Sequence, residues 1–220
     1  MLEAIIFDMD GVLLDSESMH YDVLREMMNT YGYDYTPEHF LEYCGMSEKM
    51  VWPIFLKRAG LEDLDPDTML ERHQSLYQIR RRREGLPEFP GLKSFLENLK
   101  QAGYKIAVAS ASLPEVIVEN LHLLGIEEYF DAVVSAVNCK HGKPQPDVFL
   151  LAAEQLGAEP ADCLVVEDSM NGIRAAQNAR MPYVGFAGAR VRPNLTDVKF
   201  VFDDYRNIDT DMIRYWHKNQ

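Results

Sequence analysis

Two different patterns of hydrophobic and polar residues divide the chain. From about residue 17 to residue 85, apolar residues recur at the spacing of amphipathic helices. From Pro90 onward, short apolar runs alternate with helical segments, and each run is bounded by glycine, proline or polar residues. The first pattern predicts an all-helical unit. The second predicts a parallel sheet that is covered by helices on both faces.

Capping and breaking residues mark the ends of the predicted helices. A second helix is predicted over 37–43, with Gly45 after it. Ser47 could cap a third helix, in which Pro53 would cause a kink or delay the start. Asp65-Pro66 provides an N-cap followed by proline at the first helical position, so it predicts the start of a fourth helix.

The run 4–7 precedes the helical part but belongs by type with the later strands. Those strands are predicted over 105–109, 132–135, 163–166, 183–186 and 200–202. The simplest interpretation is an α/β fold, a doubly wound, Rossmann-like parallel sheet with a helical cap inserted after its first strand. We predict the core at residues 1–15 and 88–220 and the cap at 16–87. The two chain segments that connect the core to the cap would form a hinge, and the cap would act as a lid.

Composition and charge limit the classes of binding partner and the cellular location that we expect. The 22 basic and 35 acidic residues give a net charge of −13, which argues against nucleic acid and means that an anionic substrate needs a local positive cluster. No stretch approaches the roughly 18 apolar residues of a membrane helix. The start does not resemble a signal peptide. The three cysteines lack a metal-binding spacing, so we expect free thiols and a cytoplasmic protein. We also expect a monomer, because the lid must move and no long apolar seam is present.

The first candidate site follows the strand 4–7. Asp8 and Asp10 come directly after it, and Gly11 allows a sharp turn. Ligands of α/β sheets bind outside the carboxyl ends of the strands, so this pair should lie at the edge of the sheet. Two acids so close repel each other unless a divalent cation lies between them or they act as nucleophile and acid. An acidic turn without a chemical role is the alternative for this motif taken alone.

Two later segments could hold an anion. Ser110, Ala111 and Ser112 end a strand just before a helix N-terminus, where hydroxyl and backbone N–H groups can bind phosphate. Alternatively, Ser112 is a simple helix N-cap. Lys143 lies between a glycine and a proline, outside any helix. We expect it to point inward, pair with Asp8 and offset charge on a phosphoryl group, although a lone loop lysine is usually solvated.

A further acid pair, Glu167-Asp168, ends the strand predicted over 163–166. Asp168 offers a hard oxygen ligand suited to Mg²⁺, and Glu167 could act directly or through water. A bare Glu-Asp pair is more often a turn. Because the segments with Ser110 and Lys143 also carry groups suited to this chemistry, we interpret Glu167-Asp168 as part of a functional site.

Together these motifs resemble those of the haloacid dehalogenase-like hydrolase superfamily, in the same order and over the whole chain. The matching segments are 7–12, 109–110, 142–144, 165–169 and 171–173. The position of the helical insert is similar to that of the subgroup containing β-phosphoglucomutase and small sugar-phosphate phosphatases. The resemblance implies that Asp8 is the nucleophile and forms an aspartyl-phosphate. It implies that Asp10 is first the general acid and then the base.

The resemblance also implies which residues bind phosphate, substrate and metal. Ser110 and Lys143 would act on the phosphoryl group as catalytic residues. The expected phosphate- and substrate-binding residues are Gly11, Ala111, Ser112, His20 and Lys49. The expected Mg²⁺ ligands are Asp8, Asp10 through its backbone carbonyl, Glu167 and Asp168.

The choice between phosphatase and phosphomutase depends on positions that would grip a second phosphate. His20 has a counterpart in β-phosphoglucomutases, and many related phosphatases share it. Leu24, Glu48 and Leu113 depart from the mutase pattern, although Lys49 is adjacent. A mutase must hold two phosphates and therefore needs two cationic sites. We predict a cytoplasmic, Mg²⁺-dependent phosphatase of a small phosphorylated metabolite, in the first place a sugar phosphate.

Two alternatives remain: a β-phosphoglucomutase-type phosphomutase and, more remotely, a non-catalytic binding protein on the same fold. Dehalogenase activity is set aside because Asp10 suits phosphoryl transfer.

Overall fold

The computed structural model describes residues 1–43, 48–191 and 194–220. The chain forms two compact units, one of Met1–Asp15 with Leu86–Gln220 and the other of Ser16–Gly85. The second segment of the larger unit therefore begins at Leu86, two residues before the predicted position 88. The reason is local: the backbone N–H of Asp15 donates to the carbonyl of Pro87 (3.1 Å), and Leu14 forms an antiparallel bridge with Glu88.

The described part of the smaller unit contains four helices, α1 (Ser16–Asn29), α2 (Pro37–Tyr43), α3 (Glu48–Ala59) and α4 (Pro66–Glu84). The start of α4 agrees with the prediction, because the Asp65 side chain accepts the backbone N–H of Thr68 at 2.8 Å. The late start considered for α3 is wrong, since Pro53 lies inside that helix. Gly45 and Ser47 lie outside the described residues.

The larger unit contains a six-stranded parallel sheet. Its strands are β1 (Ala4–Phe7), β2 (Lys105–Ser110), β3 (Ala132–Ser135), β4 (Cys163–Glu167), β5 (Tyr183–Phe186) and β6 (Val201–Phe202). The order is β3-β2-β1-β4-β5-β6, so the direction of winding reverses between β1 and β4. This is a doubly wound, Rossmann-like sheet, and it confirms the predicted fold class.

Two hydrophobic layers sandwich the sheet. Its helices are α5 (Leu92–Gln101), α6 (Pro114–Leu124), α7 (Asp147–Leu156), α8 (Met170–Asn178) and α9 (Thr210–Lys218). Side chains alternate along a strand, so Ile5 and Phe7 pack with α5, α6 and α9, whereas Ile6 packs with α7 and α8. Both faces of β1 are thus buried, which explains why residues 4–7 are a continuous apolar run.

The sequence pattern missed α9. Ile213 and Trp216, three residues apart, are its buried residues, and Asp209 caps it by accepting the backbone N–H groups of Asp211 and Met212. The cap and the spacing could have predicted this helix. No helix in the described part of the chain combines the length and the hydrophobicity needed to span a membrane.

Candidate active site

The ends of β1 and β4 bring three acidic residues together. Phe7 is paired with Val166 in register, and the backbone N–H of Asp8 donates to the Val166 carbonyl at 2.9 Å. Asp8 and Glu167-Asp168 therefore leave neighbouring strands at the same level. One carboxylate oxygen from each of Asp8, Glu167 and Asp168 lies within 4.8 Å of the other two, and all three residues are buried. This cluster lies at the point where the strand order reverses, the usual ligand position in such sheets.

Lys143 reaches into this acidic cluster. Its ammonium group forms ion pairs with Asp8 and with Glu167 Oε1, the latter at 2.8 Å, and it donates to the Ala109 carbonyl at 3.2 Å. The group also lies 4.8 Å from the ring centroid of Phe149. Only 10% of the lysine side chain is exposed. The loop lysine is therefore an inward charge and not a solvated surface group.

The charges of the site are out of balance, because one lysine faces three carboxylates. Burial raises the pKa of Asp8 to about 8; Lys143 opposes this rise, whereas Glu167 and Asp10 add to it. Burial lowers the pKa of Lys143, but the adjacent Asp8 and Glu167 carboxylates outweigh it and the pKa is raised. The lysine therefore stays charged, and the remaining negative charge favours a bound cation or a proton.

Glu167 is held by more than Lys143. Its Oε2 accepts the backbone N–H of Ser169 at 2.7 Å and the hydroxyl of Ser169 at 2.9 Å. Gly172 packs so closely that a Cβ atom there would lie 1.6 Å from Glu167 Oε1. Both carboxylate oxygens are thus engaged by protein donors. We interpret Glu167 chiefly as the anchor of Lys143.

Sequence reasoning assigned no role to Ser169 or Gly172. A signal was present, because Ser169 is the N-cap of α8 and its hydroxyl accepts the N–H of Gly172 at 3.0 Å. Serine directly before a helical segment is a recognisable N-cap signal.

The other predicted residues of the larger unit surround this cluster. The Ser112 hydroxyl donates to Asp10 Oδ2 at 3.1 Å, and the buried Ser110 hydroxyl accepts the N–H of Ser112 at 3.0 Å. The N-cap of α6 is Leu113, so the alternative of Ser112 as a simple side-chain cap is wrong. Ala111 is exposed next to these hydroxyls.

Gly11 is required by space as well as by backbone conformation. Its φ is +79°, and a Cβ atom would lie 2.0 Å from Asp168 Oδ2. The Asp168 carboxylate therefore packs directly against the loop that carries Asp8 and Asp10. The sequence predicted the turn but not this close approach.

The residues present fit a magnesium ion. Mg²⁺ prefers a few hard oxygen ligands and retains several waters. Asp8 and Asp168 offer such oxygens in a cluster with excess negative charge. The Asp10 side chain is not part of the three-acid cluster, which leaves its backbone carbonyl as the expected donor.

The two predicted cap residues lie in the smaller unit. His20 on α1 has its Nδ1 atom 3.3 Å from Nε2 of His73, and its ring stacks on Tyr77 with centroids 3.8 Å apart. Lys49 is exposed on α3. The side chain of Glu48, which bears on the mutase alternative, lies outside the part of the chain that the structure describes.

Comparisons of sequence agree with the motifs. A family model described as haloacid dehalogenase-like hydrolase matches residues 5–186. A phosphorylated carbohydrates phosphatase of Thermotoga maritima is 34% identical over 178 residues, which are 81% of this chain and 82% of that protein. The fructose-1-phosphate phosphatase YqaB of Escherichia coli is 34% identical over 182 residues, 82% of this chain and 94% of that protein.

Solved structures are similar over nearly the whole chain. A β-phosphoglucomutase from Clostridium difficile has a TM-score of 0.73 and 28% identity, covering 99% of this chain and 98% of that one. A conserved haloacid dehalogenase-like protein from Agrobacterium tumefaciens has a TM-score of 0.83 and 28% identity, covering 98% and 99%. The motifs, the strand order and the family match together show that this chain is an enzyme of the haloacid dehalogenase-like hydrolase family.

Proposed function

We propose that this enzyme is a Mg²⁺-dependent phosphatase that hydrolyses a small phosphorylated carbohydrate through a covalent intermediate on Asp8. The observation that carries the proposal is the meeting of Asp8, Glu167, Asp168 and Lys143 at the ends of β1 and β4. The relatives named above act, by their names, on phosphorylated carbohydrates and on fructose 1-phosphate, which supports the substrate class.

The proposed reaction has two steps. First, an Asp8 carboxylate oxygen forms a bond to phosphorus, and the bond from phosphorus to the leaving oxygen of the alcohol breaks. Asp10 donates a proton to this leaving oxygen. Next, Asp10 takes a proton from a water molecule, which attacks phosphorus. The bond to Asp8 breaks, and inorganic phosphate leaves. The Ser112 hydroxyl, 3.1 Å from Asp10 Oδ2, supports an oriented Asp10.

The other residues stabilise charge. Lys143 offsets negative charge on the transferring phosphoryl group while Glu167 holds it in place. Asp8, Asp168 and the Asp10 carbonyl would hold Mg²⁺. When bound, the ion screens the repulsion between the anionic nucleophile and the anionic phosphate.

The test is phosphate release from a panel of phosphorylated sugars and nucleotides, with Mg²⁺ and then with EDTA. We expect metal-dependent release concentrated on a few sugar phosphates, and a loss of at least about 10³-fold in Asp8→Asn with the fold retained. Asp131→Asn serves as the control, because Asp131 pairs with Lys100 and belongs to no part of the site. Retained turnover in Asp8→Asn, or release that EDTA leaves unchanged, would refute the proposal.

A β-phosphoglucomutase-type phosphomutase is the second candidate, favoured by the 28% identical mutase structure. Against it, Leu113 at the N-cap of α6 carries no charge where the mutase pattern has a lysine. The two activities separate when β-glucose 1-phosphate is supplied with a bisphosphate primer and glucose 6-phosphate is measured alongside free phosphate. Glucose 6-phosphate without phosphate release would identify the mutase.

His20 and Lys49 are proposed substrate contacts of the helical unit. Because p-nitrophenyl phosphate has no sugar hydroxyls, His20→Ala and Lys49→Ala should raise KM for the sugar phosphate more than KM for this aryl ester. Equal changes for both substrates would argue against these contacts.

A further inference from the structure

The loop after β1, residues 8–14, carries both proposed catalytic acids and is closed on itself. The Met9 carbonyl accepts the backbone N–H of Leu13 at 2.8 Å, and the N–H of Gly11 donates to the Leu14 carbonyl at 2.8 Å. Val12, Leu13 and Leu14 are almost fully buried. A shift of any peptide unit in so compact a turn therefore moves its neighbours.

Tyr205 binds this loop from the far end of the chain. Its hydroxyl donates to the carbonyl of Val12 at 2.9 Å. Tyr205 is 2% exposed and Val12 is not exposed at all, so the bond is shielded from solvent. A buried carbonyl that loses its donor is costly, which makes this contact a strong constraint on the peptide unit that joins Val12 to Leu13.

The position of the tyrosine hydroxyl is itself set by packing. The ring lies 4.7 Å from the ring centroid of Phe186, 5.3 Å from that of Phe202 and 5.5 Å from that of Phe95. These rings come from β5, β6 and α5. Gly91 contributes as well, because a Cβ atom there would lie 2.9 Å from the backbone nitrogen of Arg206. The ring therefore has little freedom to follow the loop if the loop moves.

The same burial keeps the hydroxyl a donor. Burial, with smaller contributions from Asp168 and Asp8, raises the pKa of Tyr205 well above its usual value. The phenol stays protonated throughout the working pH range. Tyr205 lies beyond residues 5–186 that match the family model, and it belongs to none of the sequence motifs.

We propose that Tyr205 is a positioning residue of the active site, which fixes loop 8–14 through the Val12 carbonyl. The loop is then held from two directions, since the Asp168 carboxylate packs against Gly11 on one side and Tyr205 binds Val12 on the other. The inference rests on the proposed function, in which Asp8 attacks phosphorus and Asp10 transfers the proton. Both steps require placement within a fraction of an ångström.

The experiment compares Tyr205→Phe with Tyr104→Phe. Both variants remove one hydroxyl from a buried tyrosine of the larger unit, but the Tyr104 hydroxyl accepts from Arg214 (2.7 Å) near the start of β2, at the opposite end of the sheet from the site. We expect kcat of Tyr205→Phe to fall about 10-fold with KM changed less than about twofold. In Tyr104→Phe, kcat should stay within about twofold of the unmodified enzyme. Tyr104→Phe should keep the Tm within a few degrees, whereas Tyr205→Phe, which leaves the buried Val12 carbonyl without its donor, should lower the Tm by up to about 10 degrees, so kcat is measured well below both values.

Two further measurements separate positioning from general destabilisation. Amide hydrogen exchange at residues 11–14 should accelerate in Tyr205→Phe and not in Tyr104→Phe. Incorporation of 4-aminophenylalanine at position 205, which restores an N–H donor, should recover kcat. Unchanged kcat and exchange in Tyr205→Phe, or an equal loss in Tyr104→Phe, would overturn the inference. If the unmodified enzyme releases no phosphate at all, the proposed function fails, whereas the exchange measurement still decides whether Tyr205 holds the loop.

Discussion

Replacing Asp8 with asparagine should stabilise the metal-free protein at alkaline pH, even though it should abolish activity. Burial raises the pKa of this carboxyl from 3.8 to about 8 in the folded state. Between these two values the folded protein binds more protons than the unfolded chain. The free energy of unfolding therefore falls as pH rises through this window. Asparagine carries no charge at any pH, so the free energy of unfolding of the variant does not fall for this reason.

The size of the effect follows from the same pKa values. A change from 3.8 to about 8 corresponds to an upper bound of roughly 5–6 kcal/mol. Water and nearby dipoles relax around a buried charge, so we expect about 2–3 kcal/mol between pH 5 and pH 8. In the variant, Lys143 still forms its ion pair with Glu167, so the loss of the Asp8 charge does not leave the lysine unpaired.

The assay is urea unfolding in EDTA at pH 5 and pH 8, followed by tryptophan fluorescence. The chain has two tryptophans, and Trp216 reports on the larger unit, where it is buried and stacked on Phe202 with ring centroids 5.7 Å apart. The measurement is made in a Trp52→Phe background, which removes the signal of the helical unit. The unfolding free energy of the unmodified protein should decline between the two pH values more steeply than that of Asp8→Asn.

Asp131→Asn is the matched control. Burial raises the pKa of Asp131, but hydrogen bonds from Lys100 and from the backbone of Ile106 outweigh it, so the pKa is lowered. Asp131 is therefore ionised at both pH values, and its substitution should change stability by the same amount at each. If Asp8→Asn has the same pH slope as the unmodified protein, or if the slope also disappears in Asp131→Asn, ionisation of Asp8 does not cause the pH dependence.

Three further predictions concern the active site and the helical unit, and the second of them includes a control substitution. Lys143→Met should lower kcat by about 10²–10³-fold in steady-state phosphate release, because the cation beside the phosphoryl group is removed. Gly172→Ala should cost about 1–3 kcal/mol in urea unfolding, since its Cβ would collide with Glu167. Gly142→Ala, with no atom within 4 Å of its added Cβ, should change stability by less than about 0.5 kcal/mol. Asp65→Ala should destabilise the helical unit by about 1 kcal/mol through loss of the α4 cap, measured by Trp52 fluorescence.

For each of these predictions, one result would contradict it. Phosphate release that is unaffected in Lys143→Met would remove the lysine from the mechanism. Equal stability of Gly172→Ala and Gly142→Ala would mean that Glu167 can move away without cost. If Asp65→Ala left the unfolding free energy of the helical unit unchanged, water would serve the first turn of α4 as well as the carboxylate does.

Local sequence information determined much of the architecture. Residues 132–135 and 183–186 were predicted as strands and are β3 and β5 with the same bounds. Asp65 caps α4 as predicted. Such features depend on neighbours along the chain: the alternation of buried side chains, the fixed φ of proline and the hydrogen bond from a cap residue to the next turn. For the same reason, the acids that follow the predicted strands are recognisable as a candidate site from the amino-acid sequence alone.

The packing of the whole chain, and not its local sequence, sets which strand ends are neighbours and which side chains touch. Lys143 meets Asp8 across 135 positions of sequence, and Tyr205 meets Val12 across 193. The close approach of Asp168 to Gly11 likewise depends on how β1 and β4 pack. These contacts arise because two hydrophobic layers must cover both faces of one sheet. The packing of those layers sets the strand order, and no stretch of local sequence encodes it.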